Sequence, residues 1–299
     1  MTFHIDQAVS PEWRARVNRV VDHVRSNLDD ELKLADLARL ANSSPFHFHR
    51  IFAAVVGESP ASFVRRARLE RSAHLMMASP NRSLSSIAAD LGFASLSEFS
   101  RSFRKLYGVS PSSWDRTTRL ALDETKVVPA GWEQSDGRVQ LQPMARIIYQ
   151  EPMRLAYVRA KGLFGVDDLT AEYDSLMRWA VEQGVDTAAE RLIGMSWDNY
   201  ETTPVDRLHY DFAITIPTDV EPDGLVSLSE LPAMTAVAVR CCGGLDRIAQ
   251  AWDYLYEDWF PGSRHSPADL PGFKFFHRRP DEIGWDRWNL DCVIALEPE

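Results

Sequence analysis

Apolar residues in the first third of the chain recur at the three-and-four spacing of amphipathic helices, and the same pattern is written twice. Leu34, Leu37 and Ala38 lead into Phe48, Arg50, Phe52, Gly57, Pro60 and Phe63. Leu84, Ile87 and Ala88 repeat that start. After one inserted residue, Phe99, Arg101, Phe103, Gly108, Pro111 and Trp114 repeat the remainder. Each copy predicts a short helix, a tight turn and a second helix. In the first, Leu37, Leu40 and Ala41 make an apolar stripe on a helix over 35–41, and Asn42 with Ser43 turns the chain. Ser44 and Pro45 then supply an N-cap and a proline at the first helical position of a helix reaching about Val56. In the second copy Gly92 supplies the turn, Ser95 and Glu98 form a capping box, and the helix ends near Gly108. Between the copies, Phe63, Leu69, Ala73 and Met76 or Met77 predict a linker helix of about 18 residues, roughly 27 Å long at ~1.5 Å per residue.

The second helix of each copy carries the candidate chemistry. Phe48, Ile51, Phe52 and Val55 face inward, which leaves Phe46, His47, His49, Arg50 and Ala53 outside. Phe99, Phe103 and Leu106 do the same in the second copy and leave Leu96, Ser97, Glu98, Arg101 and Lys105 outside. Arginine makes a bidentate contact with guanine, histidine donates or accepts, and Phe46 or Leu96 suits a thymine methyl. Helix N-termini with Arg65, Arg66, Arg82 and Arg104 are the expected phosphate contacts. An ion-pairing role for Arg50 and Arg101, and plain packing or exposure for His47 and His49, stay open at this point. A metal role for the two histidines is rejected, because i, i+2 spacing points them apart on a helix and no third ligand follows.

The net charge of −10 over 299 residues argues against a nucleic-acid partner until the chain is divided. Residues 1–120 hold 17 Lys and Arg against 12 Asp and Glu, a balance of +5, and the remainder holds 16 against 31, a balance of −15. Residues 44–119 alone hold 11 basic and 5 acidic side chains. A basic domain beside an acidic one is the expected footprint of a phosphate-binding module with a separate partner module. The 3 cysteines show no disulfide framework, no secretory leader precedes the repeat, and no apolar run is long enough to span a bilayer. A cytoplasmic protein without a membrane partner is expected.

GFASLSEFSRSFRKLYGVSPSSW resembles the second helix-turn-helix of the AraC/XylS family of bacterial transcription regulators, and SPFHFHRIFAAVVGESPASFVRRARLERSAHLM resembles the first unit with its linker helix. The resemblance covers about residues 15–118 and implies two second helices in successive major-groove segments of double-stranded DNA, with RNA polymerase as a partner. Carried over by position, it assigns base reading to Phe46, His49 and Arg50 and to Leu96, Ser97 and Arg101. Leu96 and Ser97 stand where many members present longer polar side chains, so the second unit is expected to read less sequence.

Beyond a Pro- and Gly-containing connection at 120–145, the pattern changes to strand-like and helix-like segments in alternation. MRLAYVRAK, DDLTAEYDSLMRWAVEQ, LIGMSWDN and LHYDFAITIP are answered by MTAVAVRC, LDRIAQAWDYLYEDWF, GFKFFHR and NLDCVIAL. The expected fold class is therefore multidomain: an all-α double helix-turn-helix domain at 10–119, then an α+β domain of duplicated strand-helix-strand-strand units at 146–299. The duplication resembles the GyrI-like effector-binding domain, and its place behind the first domain resembles a Rob-like arrangement. That resemblance implies a small-molecule pocket between the halves, or a protein contact, and in cation-binding members a glutamate two residues before an aromatic on the penultimate strand. Here Lys274 precedes Phe276, with Glu257 and Asp291 as the remaining acidic candidates.

The acidic domain is rich in aromatic residues. Trp197, Tyr200, Trp252, Tyr256, Trp259, Phe276 and Trp288 are the candidate walls of a site for a small aromatic or amphipathic effector. Trp252, Leu255, Tyr256 and Trp259 also have the spacing of a helix's buried stripe. Cys241 or Cys242 with His277 and Asp291 makes a nucleophilic set on paper, but no nucleophile elbow or phosphate-binding glycine loop accompanies it. A non-enzymatic regulator without a cofactor is expected; a small-molecule hydrolase and a purely protein-interacting second domain are the alternatives.

Overall fold

The computed structural model describes residues 10–78, 81–114, 145–161, 166–197, 208–222, 224, 226–268 and 270–298. They form two compact units, one built mainly from residues up to 120 and one from the residues after them. The expected connection at 120–145 lies almost wholly outside the described residues.

The first unit is helical: α1 (Pro11–Ser26), α2 (Leu34–Leu40), α3 (Pro45–Val56), α4 (Pro60–Ala78), α5 (Leu84–Asp90) and α6 (Leu96–Tyr107). The signals that start and stop these helices act as their chemistry requires. Ser44 Oγ accepts the His47 N–H at 3.4 Å and Ser95 Oγ accepts the Glu98 N–H at 3.1 Å. The Glu98 carboxylate reaches back to the Ala94 N–H, 3.3 Å away, so the capping box closes one residue earlier than the usual pattern. The α2–α3 turn passes through the left-handed region at Asn42 (φ 50°) and the α5–α6 turn at Gly92 (φ 65°), residue types that tolerate it.

The repeat is also a repeat of packing. Phe48 packs on Phe52 and Phe52 on Phe63, with centroids 5.4 and 5.6 Å apart. Phe99 packs on Phe103 and Phe103 on Trp114, at 5.7 and 5.6 Å. The linker helix α4 buries Phe63, Leu69, Ala73 and Met76 into the same core, joined by Val17, Val20, Val21 and Val24 of α1. Its 19 residues span about 28 Å.

The second unit is one eight-stranded antiparallel sheet with two main helices. In chain order it contains β1 (Arg146–Gln150), β2 (Met153–Lys161), α7 (Val166–Glu182), β3 (Leu192–Ser196) and β4 (His209–Thr215). Then follow β5 (Ser227–Leu231), β6 (Met234–Gly243), α8 (Leu245–Asp253), β7 (Gly272–Phe276) and β8 (Trp288–Ala295). The strand order β1-β6-β8-β7-β3-β4-β2-β5 reads the same in both directions once β1–β4 are exchanged for β5–β8. The sheet therefore has a pseudo-two-fold axis between β3 and β7. The expected duplication is present, and each copy has one more strand than expected, β1 or β5, which crosses to the edge of the other copy.

Strand register sorts the side chains by face. Leu155, Tyr157, Ile193, Phe273, Phe275 and Val293 cluster on one face. The alternate positions, including Phe212, Gly194, Lys274, Cys292 and Val239, point to the face on which α7 packs over β2 and β4, and α8 over β6 and β8. Helix α8 does not continue with regular periodicity. A π-helical stretch, Tyr254–Trp259, widens its turns, so Leu255 alone of the expected stripe is fully buried while Trp252 and Trp259 are half-buried and Tyr256 is exposed.

Candidate DNA-binding face and ligand site

The outer surface of α3 presents Phe46, His47, His49 and Arg50, all exposed, and that of α6 presents Leu96, Ser97, Arg101, Arg104 and Lys105, also exposed. Phe46 is 66% exposed, an unusual state for phenylalanine, and its ring lies 5.6 Å from that of His47 and 5.9 Å from the Arg50 guanidinium. Among the described residues no carboxylate pairs with Arg50, Arg101 or Arg104. The intradomain ion pairs left open by the sequence are made by other arginines. Arg82 pairs with Asp90. Arg66, expected among the phosphate contacts, is buried: its Nε donates to Glu58 at 2.7 Å and its Nη1 to Glu70 at 2.8 Å. Its neighbour Arg65 is exposed and remains available to a phosphate.

The two helix-turn-helix units are held against each other by Arg68 on the linker helix. Its guanidinium donates to three backbone carbonyls, those of Leu28 at 2.8 Å, Asp30 at 2.7 Å and Gly92 at 3.0 Å. A cleft of about 220 Å³ beside it is lined by Leu37, His49, Val64, Arg65, Arg68 and Glu98, so His49 looks into the space between the units. Gly92 has both a left-handed backbone and no room, since an added Cβ would stand 2.7 Å from Arg68 Nη2. Gly92→Ala is expected to destabilise the unit by about 1–2 kcal/mol from backbone strain alone. Because it also displaces Arg68, a DNA site with two contact blocks should lose more affinity than one with a single block. Denaturant titration and binding to the two kinds of site measure the two effects separately.

In the second unit the central strands β3 and β7 place Lys274 among its aromatic neighbours on the face that α7 and α8 cover. Lys274 stands on β7 opposite Gly194 of β3, its partner across the pseudo-two-fold axis. Its ammonium donates to Ser196 Oγ at 3.2 Å and lies 4.6 Å from the Tyr210 ring centroid and 5.9 Å from that of Trp252. Desolvation in this aromatic setting pushes its pKa down to about 8, so the ammonium form still prevails at neutral pH. Tyr210 lies across Gly194, where an added Cβ would fall 1.7 Å from its hydroxyl. A chain of rings extends the wall: Tyr210 to Phe212 at 4.8 Å, Phe212 to Trp285 at 6.1 Å, Trp285 to Trp288 at 6.1 Å and Trp288 to Phe276 at 6.0 Å.

The expected effector residues fall into three places. Trp252, Phe276 and Trp288 lie on the helix-covered face with Lys274. Tyr256 and Trp259 sit on the π-helical stretch, where Trp259 stacks on His265 at 5.7 Å and Tyr256 is 5.8 Å from Phe260. Trp197 donates its indole N–H to Asp211 at 3.0 Å on the opposite face, and Tyr200 lies outside the described residues. Tyr210 escaped sequence reasoning. The alternation of LHYDFAITIP gives Tyr210 a face, but only the register of β4 on β3 puts it over Gly194.

The paper nucleophilic set is not joined. His277 Nε2 is 2.9 Å from Asp291 Oδ2, but Cys241 Sγ meets Cys292 Sγ at 3.5 Å and Cys242 Sγ meets Asn289 Oδ1 at 4.0 Å. Burial raises the pKa of the Cys292 thiol, which keeps it protonated, and its hydrogen bond with Cys241 lowers the pKa of the latter.

Residues 37–117 match a family model described as a helix-turn-helix domain. The chain is 33% identical over 102 residues to the HTH-type transcriptional regulator YbfP of Bacillus subtilis, a match covering 34% of this chain and 34% of that protein. It is 34% identical over 112 residues to the XylDLEGF operon transcriptional activator of Pseudomonas putida, covering 36% of this chain and 35% of the activator. The chain thus spans about a third of the length of these curated relatives. Among solved structures, the EcmrR C-terminal domain is 13% identical, with 52% of this chain and 98% of that one covered and a TM-score of 0.40. Residues 143–295, just over half of the chain, match the GyrI-like small molecule binding domain, and the chain belongs to that family, carrying an AraC-type helix-turn-helix domain ahead of it.

Proposed function

We propose that this protein is a sequence-specific DNA-binding transcription regulator whose activity is set by a small molecule, or a protein partner, at its GyrI-like domain. The observation that carries the first half is the pair of equivalent arginines, Arg50 and Arg101, exposed on α3 and α6 beside Phe46, His47, His49, Leu96 and Ser97 and engaged by no carboxylate among the described residues. The two units are equivalent in fold but not in reading surface. Phe46 corresponds to Ser97 and Ala53 to Arg104, so the two contact blocks of the operator should differ in sequence. RNA polymerase is the second macromolecular partner, a reading supported by a relative described as an operon transcriptional activator. The relatives are transcriptional regulators rather than enzymes, and the described cysteines make no contact with His277. Among the described residues no helix is long and apolar enough to cross a membrane.

Selection of bound duplexes from a random pool, at stated salt, tests the proposal. One motif with two blocks about one helical turn apart is expected. On that motif Arg50→Ala and Arg101→Ala should each lose about 1–3 kcal/mol and relax the base preference within one block. Arg104→Ala should weaken all sequences alike and reduce the salt slope by about one unit. Equal losses on random DNA for all three variants would refute base reading by Arg50 and Arg101.

A further inference from the structure

The helix-covered face of the second unit is supplied with donors and short of acceptors. An ammonium has three N–H donors. Lys274 gives one to Ser196 Oγ, and among the described residues no carboxylate lies in ion-pair reach of it. Tyr210 and Trp252 stand beside it and offer cation–π stabilisation in place of hydrogen bonds. The titratable groups nearest to it on this face are Cys241, Cys292 and Tyr210; burial raises the pKa of Cys292 and Tyr210, so those two stay uncharged at neutral pH, while the hydrogen bond with Cys292 lowers that of Cys241. A second donor on the same face is also unsatisfied: the Trp288 indole N–H is buried, has no acceptor among the described residues, and belongs to a residue only 8% exposed. The pseudo-two-fold mate of Lys274 is Gly194, which adds neither a competing charge nor bulk.

We infer that the small-molecule site of this domain is built for an aromatic anion, whose carboxylate or equivalent pairs with Lys274 while its ring packs on Tyr210 and Trp252. This rests on the proposal that the domain binds a small molecule at all. A cationic ligand would meet an ammonium already seated against the aromatic walls. A neutral ligand would gain the rings but leave the ammonium short of acceptors. The residues after 120 carry −15 overall, so long-range attraction does not favour an anion. The preference is local and, being partly buried, should survive raised salt.

Calorimetric titration of the full-length protein with 2-naphthoate, 2-naphthamide and (2-naphthylmethyl)trimethylammonium separates the possibilities, because the three share a ring system and differ in charge. Naphthoate should bind best, the amide about 10- to 150-fold more weakly, as expected for losing a hydrogen bond to a charged group, and the ammonium compound weakest. Lys274→Met should erase the advantage of naphthoate over the amide while leaving amide binding in place. Lys274→Gln serves the same purpose should the methionine variant fold poorly, and the ordering of the three probes on the unaltered protein stands without either. Binding of the amide or the ammonium compound as tightly as naphthoate, or a naphthoate advantage that persists in Lys274→Met, overturns the anion site and leaves a small-molecule domain standing. No binding by any of the three overturns both.

Discussion

Arg66→Ala is expected to destabilise the helical unit by about 3–5 kcal/mol, the range for stripping one partner from a buried ion pair. The Arg66 side chain is 5% exposed and those of Glu58 and Glu70 are 15% and 12% exposed, so none of the three can recover its lost partner from bulk water. Glu58 lies in the turn after α3 and Glu70 one helical turn beyond Arg66 on α4, and the guanidinium therefore fixes the angle at which the linker helix leaves the first reading helix. It also stacks 5.2 Å from the Phe63 ring, which joins it to the aromatic core. Arg66→Lys should rescue little, because an ammonium cannot present the planar fork that reaches two carboxylates. For a domain of roughly 100 residues each kcal/mol moves the melting temperature by about 4–8 °C, so a fall of about 12–40 °C is expected in the helical transition followed by circular dichroism. Arg65→Ala, one residue away and exposed, should stay within about 0.5 kcal/mol of the parent. Similar shifts for the two variants would mean that the buried pairs contribute nothing beyond the loss of a long side chain.

What the chain discloses before folding depends on whether a feature is local. The two helix-turn-helix units were legible because caps, turns and apolar spacing are short-range: Ser44, Pro45, Gly92, Ser95 and Gly108 act where the sequence places them. The inward faces of α3 and α6 followed from period alone. The partner of Arg66 did not, since a basic residue on an amphipathic helix has the same local pattern whether it faces solvent or a carboxylate eight residues back. In the second unit the duplicated strand-helix-strand-strand core was visible, yet β1 and β5 were not. RIIYQ and SLSEL are five-residue edge strands with mixed burial, and each is completed by pairing with the other half of the sheet. The π-helical stretch that follows α8 likewise broke an apparent stripe of Trp252, Leu255, Tyr256 and Trp259, because one wider turn shifts the phase of all that follows. Lys274 was noticed only as a departure. Its setting, with Ser196 78 residues before it in sequence and Tyr210 above Gly194, is a product of strand register and has no sequence-local signal.

The pseudo-two-fold sheet contains its own controlled comparison, and it yields the second large effect. Arg159, Asp211 and Trp197 in the first half correspond to Arg240, Asp291 and His277 in the second. Asp211 is fully buried and receives a bidentate contact from Arg159 at 2.7 and 2.6 Å together with the Trp197 indole N–H at 3.0 Å. Asp291 is 5% exposed, paired with Arg146 and with His277 at 2.9 Å, and lies 3.8 Å from Arg240. The carboxylates are alike, but their cations are not: the Arg159 side chain is 6% exposed, whereas Arg146, Arg240 and His277 are 46%, 32% and 42% exposed. Removing Asp211 takes the bidentate carboxylate from a guanidinium held in the protein interior, so Asp211→Ala should destabilise the second unit by about 3–5 kcal/mol. Removing Asp291 releases cations that water already reaches, and Asp291→Ala should cost only about 1 kcal/mol. The double variant Arg159→Met, Asp211→Leu should recover most of the loss, because apolar groups of similar volume replace a buried ion pair with little net change. Denaturant unfolding of the four proteins measures this directly. A cost for Asp291→Ala equal to that for Asp211→Ala would show that burial of the cation does not set the strength of these pairs, and would remove the same argument from Arg66.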